Sequence, residues 1–477
     1  MARSNGPARR WVLTVAGVAM LATTTSAAPA MATPGPAGGP SRPALPEQAA
    51  VAQVEGPIPG APPGDPGSPV LEDTYPWFAT SVDLAEDDYV EEEFYVSGVA
   101  DAYSATGQLL ATDVPYRTRI LVRRPAERGH FNGTVLAEWQ NVTAGYDLDA
   151  LWGYRHILRE GYAWVGISAQ RVGVNHLVSW SPARYGDLDV TGGGQFMADE
   201  LSYDIFAQAA AALRSSGGGR PTASTRPMGR LDVDTILAIG ASQSAGRMTI
   251  YYNSILPQVE PVFDGYGFIV GSAPTRIGDE PVFQVLSETD VRSPNRPPDT
   301  DQFRRWEVAG TAHSGWNGQE YRRPLQERDL GAAPEYECEQ PPFSRVPLHH
   351  VVGAALNRLV RWVERGTPPP SAPPLELNPD GTKVRDELGL AVGGISLSQV
   401  GAPIALNTGD NAGESFCRLF GTHVPFDDAT LDQLYPSHGH YVLDVALADI
   451  RNVRAGYITP ADARENLVAA IHSDVGR

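Results

Sequence analysis

Six short apolar runs recur between positions 133 and 313, and helix-like stretches separate several of them. They are GTVLAEWQN (133–141), YAWVGIS (162–168), TILAI (235–239), FDGYGFIVG (263–271), PVFQVLSETD (281–290) and RRWEVAGTAH (304–313). Runs this apolar suit strands buried on both faces, which requires helices to cover both. Helical patterns sit between or after them: LWGYRHILREG (151–161), LSYDIFAQAAAALR (201–214), residues 245–255, and LHHVVGAALNRLVRWVERG (348–366). The last ends at Gly366 with three prolines just beyond, a strong stop. Strand alternating with helix predicts an α/β fold around a mostly parallel central sheet flanked by helices. Two earlier segments, EEFYVSGVADAY (92–103) and YRTRILVRRP (116–125), read as further strands.

The remaining composition fits that architecture. Of 477 residues 42% are hydrophobic and 19% charged, the balance of a globular chain. The formal net charge is −19 and Lys383 is the single lysine. Such an acidic chain lacks the basic surface that nucleic acid requires, and it is repelled by anionic membranes. At the start, Arg9 and Arg10 precede the apolar run WVLTVAGVAMLA, and small residues follow with A-x-A sites at Ala28–Ala30 and Ala30–Ala32. Residues 1–32 are therefore expected to be a signal peptide for export, by the general or the twin-arginine route, with no stable membrane anchor. Residues 33–70, dense in Pro, Gly and Ala, are expected to be an extended lead-in, 71–366 the core, and 367–477 an appended C-terminal region on the same domain. TPADARENLVAAIHSD closes the chain as a helix with Thr459 as N-cap and Pro460 at the first helical position. In an exported chain the cysteine pair Cys338 and Cys417 suggests one disulfide, two buried thiols being the alternative.

The stretch TILAIGASQSAGRMTIYYNSI (235–255) carries the sharpest chemical signal. An apolar strand meets a helix across Gly240-Ala241-Ser242-Gln243-Ser244. A serine displayed on such a turn needs small neighbours two positions to either side, because the backbone there is cramped. Ser242 is thus a candidate nucleophile, with Ser244 in place of the usual second glycine. The partners follow in the order such a site requires. Glu288 and Asp290 end one later strand and His313 ends the next, where ligands bind in parallel sheets. Asp290, four residues past Leu286, is favoured over Glu288 as the acid, while Asp279 and Glu280 precede their strand and are set aside. An oxyanion hole would use the Gln243 N–H and a second donor from the loop after strand 133–141, Val142 or Asn141.

On these residues the chain resembles the α/β-hydrolase superfamily, and more narrowly the secreted bacterial "alpha/beta hydrolase domain" proteins. EGPIPG, EEFYVSGVADAY, LAEWQN, GASQSAGRM, FQVLSETDV, WEVAGTAH, RLVRWVERGTPPP and GLAVGGI carry the resemblance, from about residue 54 onward. It implies an α/β-hydrolase fold, no cofactor, and a serine hydrolase of carboxylic esters with Ser242, His313 and Asp290 or Glu288. Thioester, lactone or polyester substrates, or a non-catalytic binding role on the same scaffold, are the alternatives.

Other features carry less. Trp139, Tyr146, Tyr154 and Trp316 lie near the expected site and are candidates to line a pocket for a bulky ester. Residues 317–346 are read as a lid or as a surface excursion pinned by Cys338–Cys417. His438 and His440 mark the start of a helix in preference to a metal site. Asn132-Gly-Thr134 and Asn141-Val-Thr143 match glycosylation sequons only incidentally.

Overall fold

Residue-by-residue burial explains why the apolar runs become strands. Along Thr235–Ala241 every residue is buried. Ile236 and Ala238 enter the hydrophobic core on one side of the sheet, while Leu237, Ile239 and Ala241 enter the core on the other. Successive side chains of a strand point to opposite faces, so a continuous apolar run is what a strand covered on both sides demands.

The computed structural model describes residues 50–60, 74–149, 153–214 and 226–477. The expected signal peptide lies outside them, as does the break at 215–221. Among the described residues nine strands form one sheet: β1 (Gln53–Glu55), β2 (Tyr89–Tyr103), β3 (Leu109–Pro125), β4 (Thr134–Trp139), β5 (Ala163–Ile167), β6 (Thr235–Ala241), β7 (Gly265–Ile269), β8 (Val282–Ser287) and β9 (Phe303–Val308). Their spatial order is β1-β2-β3-β5-β4-β6-β7-β8-β9. From β5 to β9 all neighbours are parallel, and β1, β2 and β3 add an antiparallel edge. The sheet is thus mostly parallel. Within the lead-in, Gln53–Glu55 pairs with Tyr95–Ser97 as an edge strand.

The helices are α1 (Tyr154–Glu160), α2 (Arg171–Trp180), α3 (Pro182–Tyr185), α4 (Ser202–Arg214), α5 (Gln243–Ile250), α6 (Trp316–Asp329) and α7 (Leu348–Arg365). The C-terminal region adds α8 (Ser398–Gly401), α9 (Asp428–Leu434), α10 (His438–Ala455), α11 (Pro460–His472) and the hairpin β10 (Ala405–Thr408) with β11 (Thr422–Pro425). Helix α4 packs in the first core, and α7 buries Val351, Leu356 and Leu359 in the second. Gly161 and Gly366 end α1 and α7 in the left-handed conformation, φ 76° and 61°, which glycine adopts without steric cost. Thr459 and Asp462 form a reciprocal capping box at the start of α11.

Helices α2 and α6 depart from the sequence reading, whereas α10 begins at His438 as expected. Helix α6 holds Gly318 and Pro324, residues that argue against a helix interior, yet its Tyr321, Leu325 and Asp329 are buried. Packing outweighs propensity there. The C-terminal region runs along the sheet, with Ile395 bridging Val308 of β9. No helix among the described residues is long and apolar enough to cross a membrane.

Candidate active site

The turn between β6 and α5 is strained in the way a displayed side chain requires. Ser242 has φ 53° and ψ −113°, a conformation costly for a residue with a Cβ. Its surroundings hold it there. The Ser242 N–H donates to Ile269 O on β7 at 3.0 Å, and its carbonyl accepts from Gly246 N at 3.1 Å. A Cβ on Gly240 would sit 3.1 Å from the Ala245 backbone, and one on Gly271 only 2.6 Å from Ala245 Cβ. Ser244 suits the place of a second glycine because it is fully buried and its hydroxyl closes the turn. It accepts from Ala241 N and donates to Ala241 O, both at 2.9 Å.

His313 follows β9 and meets Asp290 at the end of β8, with Nδ1 2.7 Å from Asp290 Oδ1. Ser287 Oγ donates to the other carboxylate oxygen at 2.5 Å, and the His313 N–H donates to Thr289 Oγ1 at 3.2 Å. Glu288, the alternative acid, does not approach the histidine. It is fully buried and turned the opposite way, accepting from Gly310 N at 2.7 Å, Gly409 N at 3.0 Å and Arg385 Nη2 at 2.8 Å. Consecutive residues of a strand alternate faces, but two positions further on a short 3-10 turn (Glu288–Asp290) intervenes and rotates the two carboxylates apart.

The loop after β4 carries Asn141 and Val142, the two residues considered for a second oxyanion donor. The Asn141 N–H is committed to Leu148 O at 3.3 Å, and Thr143 N–H to Asn141 Oδ1 at 2.8 Å. Only a long 3.4 Å contact with Gln243 Oε1 occupies Val142 N–H. Of the two residues considered for the second donor, Asn141 therefore drops out as a backbone donor. Its side-chain amide instead donates to Ala241 O at 2.9 Å and ties the loop to the turn that carries Ser242. Gln243 joins this arrangement through paired amides with Gln170, at 2.5 and 3.1 Å.

Buried charges hold that loop from below, and the sequence reading missed them. Arg123 pairs with Asp149 at 2.6 Å, and Tyr321 of α6 donates to the same carboxylate at 2.8 Å. Asp147 accepts from Ser168 Oγ and lies 3.8 Å from Arg119, and burial pushes its carboxyl above the usual range. Arg119 and Arg123 of YRTRILVRRP donate to the carbonyl oxygens of Trp77 and Phe78, each at 3.3 Å. Trp77 is fully buried.

Ser242 and His313 line one cavity of about 350 Å³, with Asn141, Tyr146, Leu148, Arg322, Leu419 and Phe420 among its walls. They also line an adjoining groove of about 520 Å³ that holds Asp290, Arg292, Arg305 and Arg418. Of the four aromatics considered for the pocket, Tyr146 reaches it. Trp139 does not, being wholly buried and stacked on Phe206 at 4.5 Å, since its β4 side chain points into the core. Tyr154 stacks on Tyr321 at 5.5 Å, and Trp316 packs edge-on to Phe343 at 6.5 Å; neither lines either hollow. The 317–346 segment supplies one wall through α6 and Tyr336. A disulfide joins Cys338 to Cys417, Cα atoms 5.4 Å apart, and anchors this wall to the 416–420 loop. His438 contacts the carbonyl oxygens of Val475 and Ile471, and His440 the Ser437 hydroxyl, at the start of α10. Among the described residues no group of three His, Cys, Asp or Glu side chains is arranged to hold a metal.

A family model described as "Alpha/beta hydrolase domain" matches residues 54–468. No curated protein matches the chain. Solved structures that resemble it include the rice cell wall degrading esterase LipA from Xanthomonas oryzae, at 13% identity and a TM-score of 0.21, over 38% of this chain and 42% of that one. The peroxisomal alpha-beta-hydrolase Lpx1 from Saccharomyces cerevisiae is 16% identical at a TM-score of 0.21, over 45% of this chain and 49% of the other. The match thus spans less than half the length of either protein.

Proposed function

The chain belongs to the alpha/beta hydrolase domain family, and on that premise we propose that it is a serine hydrolase cleaving carboxylic esters through an acyl-enzyme. The observation that carries this reading is the 2.7 Å contact of Asp290 with His313, on the wall of the cavity that Ser242 lines. In this mechanism His313 takes the Ser242 proton on its free ring nitrogen as the serine oxygen attacks the ester carbonyl. Asp290 keeps the proton on Nδ1 and stabilises the imidazolium that forms. The Gln243 and Val142 N–H groups receive the oxyanion, for which Val142 gives up its weak contact with Gln243 Oε1. The imidazolium then protonates the departing alkoxide. Water, deprotonated by the same histidine, releases the acid and restores Ser242. Thioesters, lactones and polyesters would pass through the same steps.

The test is hydrolysis of a graded p-nitrophenyl ester series by the wild type and by Ser242→Ala. Turnover should fall at least about a thousandfold in the variant, and a fluorophosphonate should label Ser242 only while His313 is intact. Equal rates in the two proteins would remove Ser242 as nucleophile. A folded wild type that neither turns over nor labels would point to a binding role.

We also propose export, supported by the signal-like residues 1–32 and by a disulfide, a bond that persists in oxidising compartments. Protein recovered from outside the cytoplasm should begin at Met31 or Thr33. An intact N-terminus there would count against cleavage.

A further inference from the structure

Arg322, only part-buried, differs from the buried arginines of this chain. Arg119, Arg123, Arg184 and Arg328 each hold a carboxylate within 2.8 Å. Among the described residues no carboxylate lies within ion-pair distance of Arg322; Asp149 acts on it from further off, and its side-chain hydrogen bond goes from Nη2 to Ser314 Oγ at 2.6 Å. Burial pushes its guanidinium below the ordinary arginine value. A part-buried guanidinium with no carboxylate in direct contact has hydrogen-bond donors left for one. This guanidinium is placed beside His313 through Ser314, and it lines the cavity that Ser242 lines.

Helical spacing explains the placement. Gln319, Arg322 and Gln326 are three and four residues apart on α6, so they share one face, and all three line the cavity. The walls beyond α6 are largely apolar, with Leu148, Phe416, Leu419 and Phe420. The wider charge pattern runs the same way. The chain carries −19 overall, yet four arginines line the two hollows: Arg322 in the cavity and Arg292, Arg305 and Arg418 in the groove. Arg305 is paired with Glu307 at 2.8 Å, which leaves Arg292, Arg322 and Arg418 facing the two carboxylates that line the hollows. Asp290 is taken up by His313, and Glu335 is 88% exposed at the cavity edge. A hollow lined by one sign of charge attracts the opposite sign.

We infer that the ester this site takes carries a carboxylate, and that Arg322 receives it while the apolar walls hold the carbon chain between. The inference rests on the ester-hydrolase reading. A planar guanidinium matches a carboxylate in a two-bond fork, and Ser314 fixes its orientation from the side. The substrates so described are half-esters of dicarboxylic acids or acyl esters of hydroxy acids, according to which limb enters the cavity. Arg322 is a specificity residue in this scheme and takes no part in proton transfer.

The experiment measures kcat/KM by proton release on two matched pairs. Monomethyl adipate against methyl hexanoate places the charge on the acyl limb, and 4-acetoxybutanoate against butyl acetate places it on the alcohol limb. In one pair the charged ester should be preferred at least about tenfold, and Arg322→Gln should lower that charged-to-neutral ratio at least about tenfold. Arg322→Lys, which keeps the charge and loses the fork, should fall between. Adipate binding to Ser242→Ala, followed by calorimetry, should weaken about tenfold when Arg322→Gln is added. That readout requires no turnover, so it judges Arg322 even if the hydrolase reading fails. Two results overturn the inference: neutral esters preferred in both pairs, or a ratio and an adipate affinity that ignore Arg322 in a variant with wild-type melting.

Discussion

Asp290 and Glu288 stand two positions apart on one loop, and their partners give them different work. Asp290 faces His313 from a partly open position, while Glu288 lies fully buried between two backbone N–H groups and Arg385. Replacing Asp290 with Asn leaves His313 without its anionic partner and lets the ring turn to the wrong tautomer. Turnover should drop by roughly 100- to 10,000-fold with little change in melting. Glu288→Gln should behave in the reverse way. Its amide nitrogen would face a donor, either a backbone N–H or the guanidinium, at a cost of about 1–3 kcal/mol of stability. Measuring kcat and chemical denaturation on both variants separates the roles, and a stability loss confined to Asp290→Asn would contradict them. The order Ser, acid, His was legible in the chain. The choice between the two acids was only favoured there, since it depends on how a single 3-10 turn rotates their side chains.

At the scale of elements, α4 is fastened to β2 through Asp204, which accepts from Asp101 N at 2.7 Å and from Gln208 Nε2 at 2.8 Å. Burial raises its carboxyl to about 6. A carboxyl whose folded value lies above its unfolded one adds stability while protonated, and that contribution is lost as pH rises through the folded value. Stability attributable to Asp204 should therefore decline between about pH 4 and pH 6. Asp204→Asn keeps an acceptor without the ionisation, so relative to wild type it should gain about 2 kcal/mol on moving from pH 4 to pH 7.5. Urea denaturation at the two values checks this. Asp449 of α10 is raised to about 6 by burial as well, so the variant should retain part of the slope. A relative gain of zero would show that the Asp204 carboxyl ionises without strain in the fold.

Across the whole molecule, the cavity is assembled from segments far apart in sequence. The loop after β4 gives one wall, α6 and Tyr336 another, and the 415–420 loop a third. The disulfide from Cys338 to Cys417 ties the last two together across 79 positions. Closing a loop of that length removes freedom from the unfolded chain, about 4 kcal/mol in a purely entropic account. Replacing both cysteines with alanine should lower stability by roughly 2–4 kcal/mol in denaturant unfolding, and an unchanged midpoint would mean that packing alone secures the wall.

What the sequence determined by itself was local and periodic: buried strands alternating with helices, the cramped turn at Ser242, and the chain order of Ser242, Asp290 and His313. Each depends on residues close together along the chain, where propensity and spacing act directly. The tertiary structure alone decided that Asn141 spends its backbone N–H on Leu148, that Trp139 belongs to the core, and that α6 forms despite Gly318 and Pro324. It also decided that Arg322 faces the cavity that Ser242 lines, with Ser314 as its hydrogen-bond partner. Those outcomes depend on which distant surfaces meet, and long-range packing leaves no period in the sequence to read.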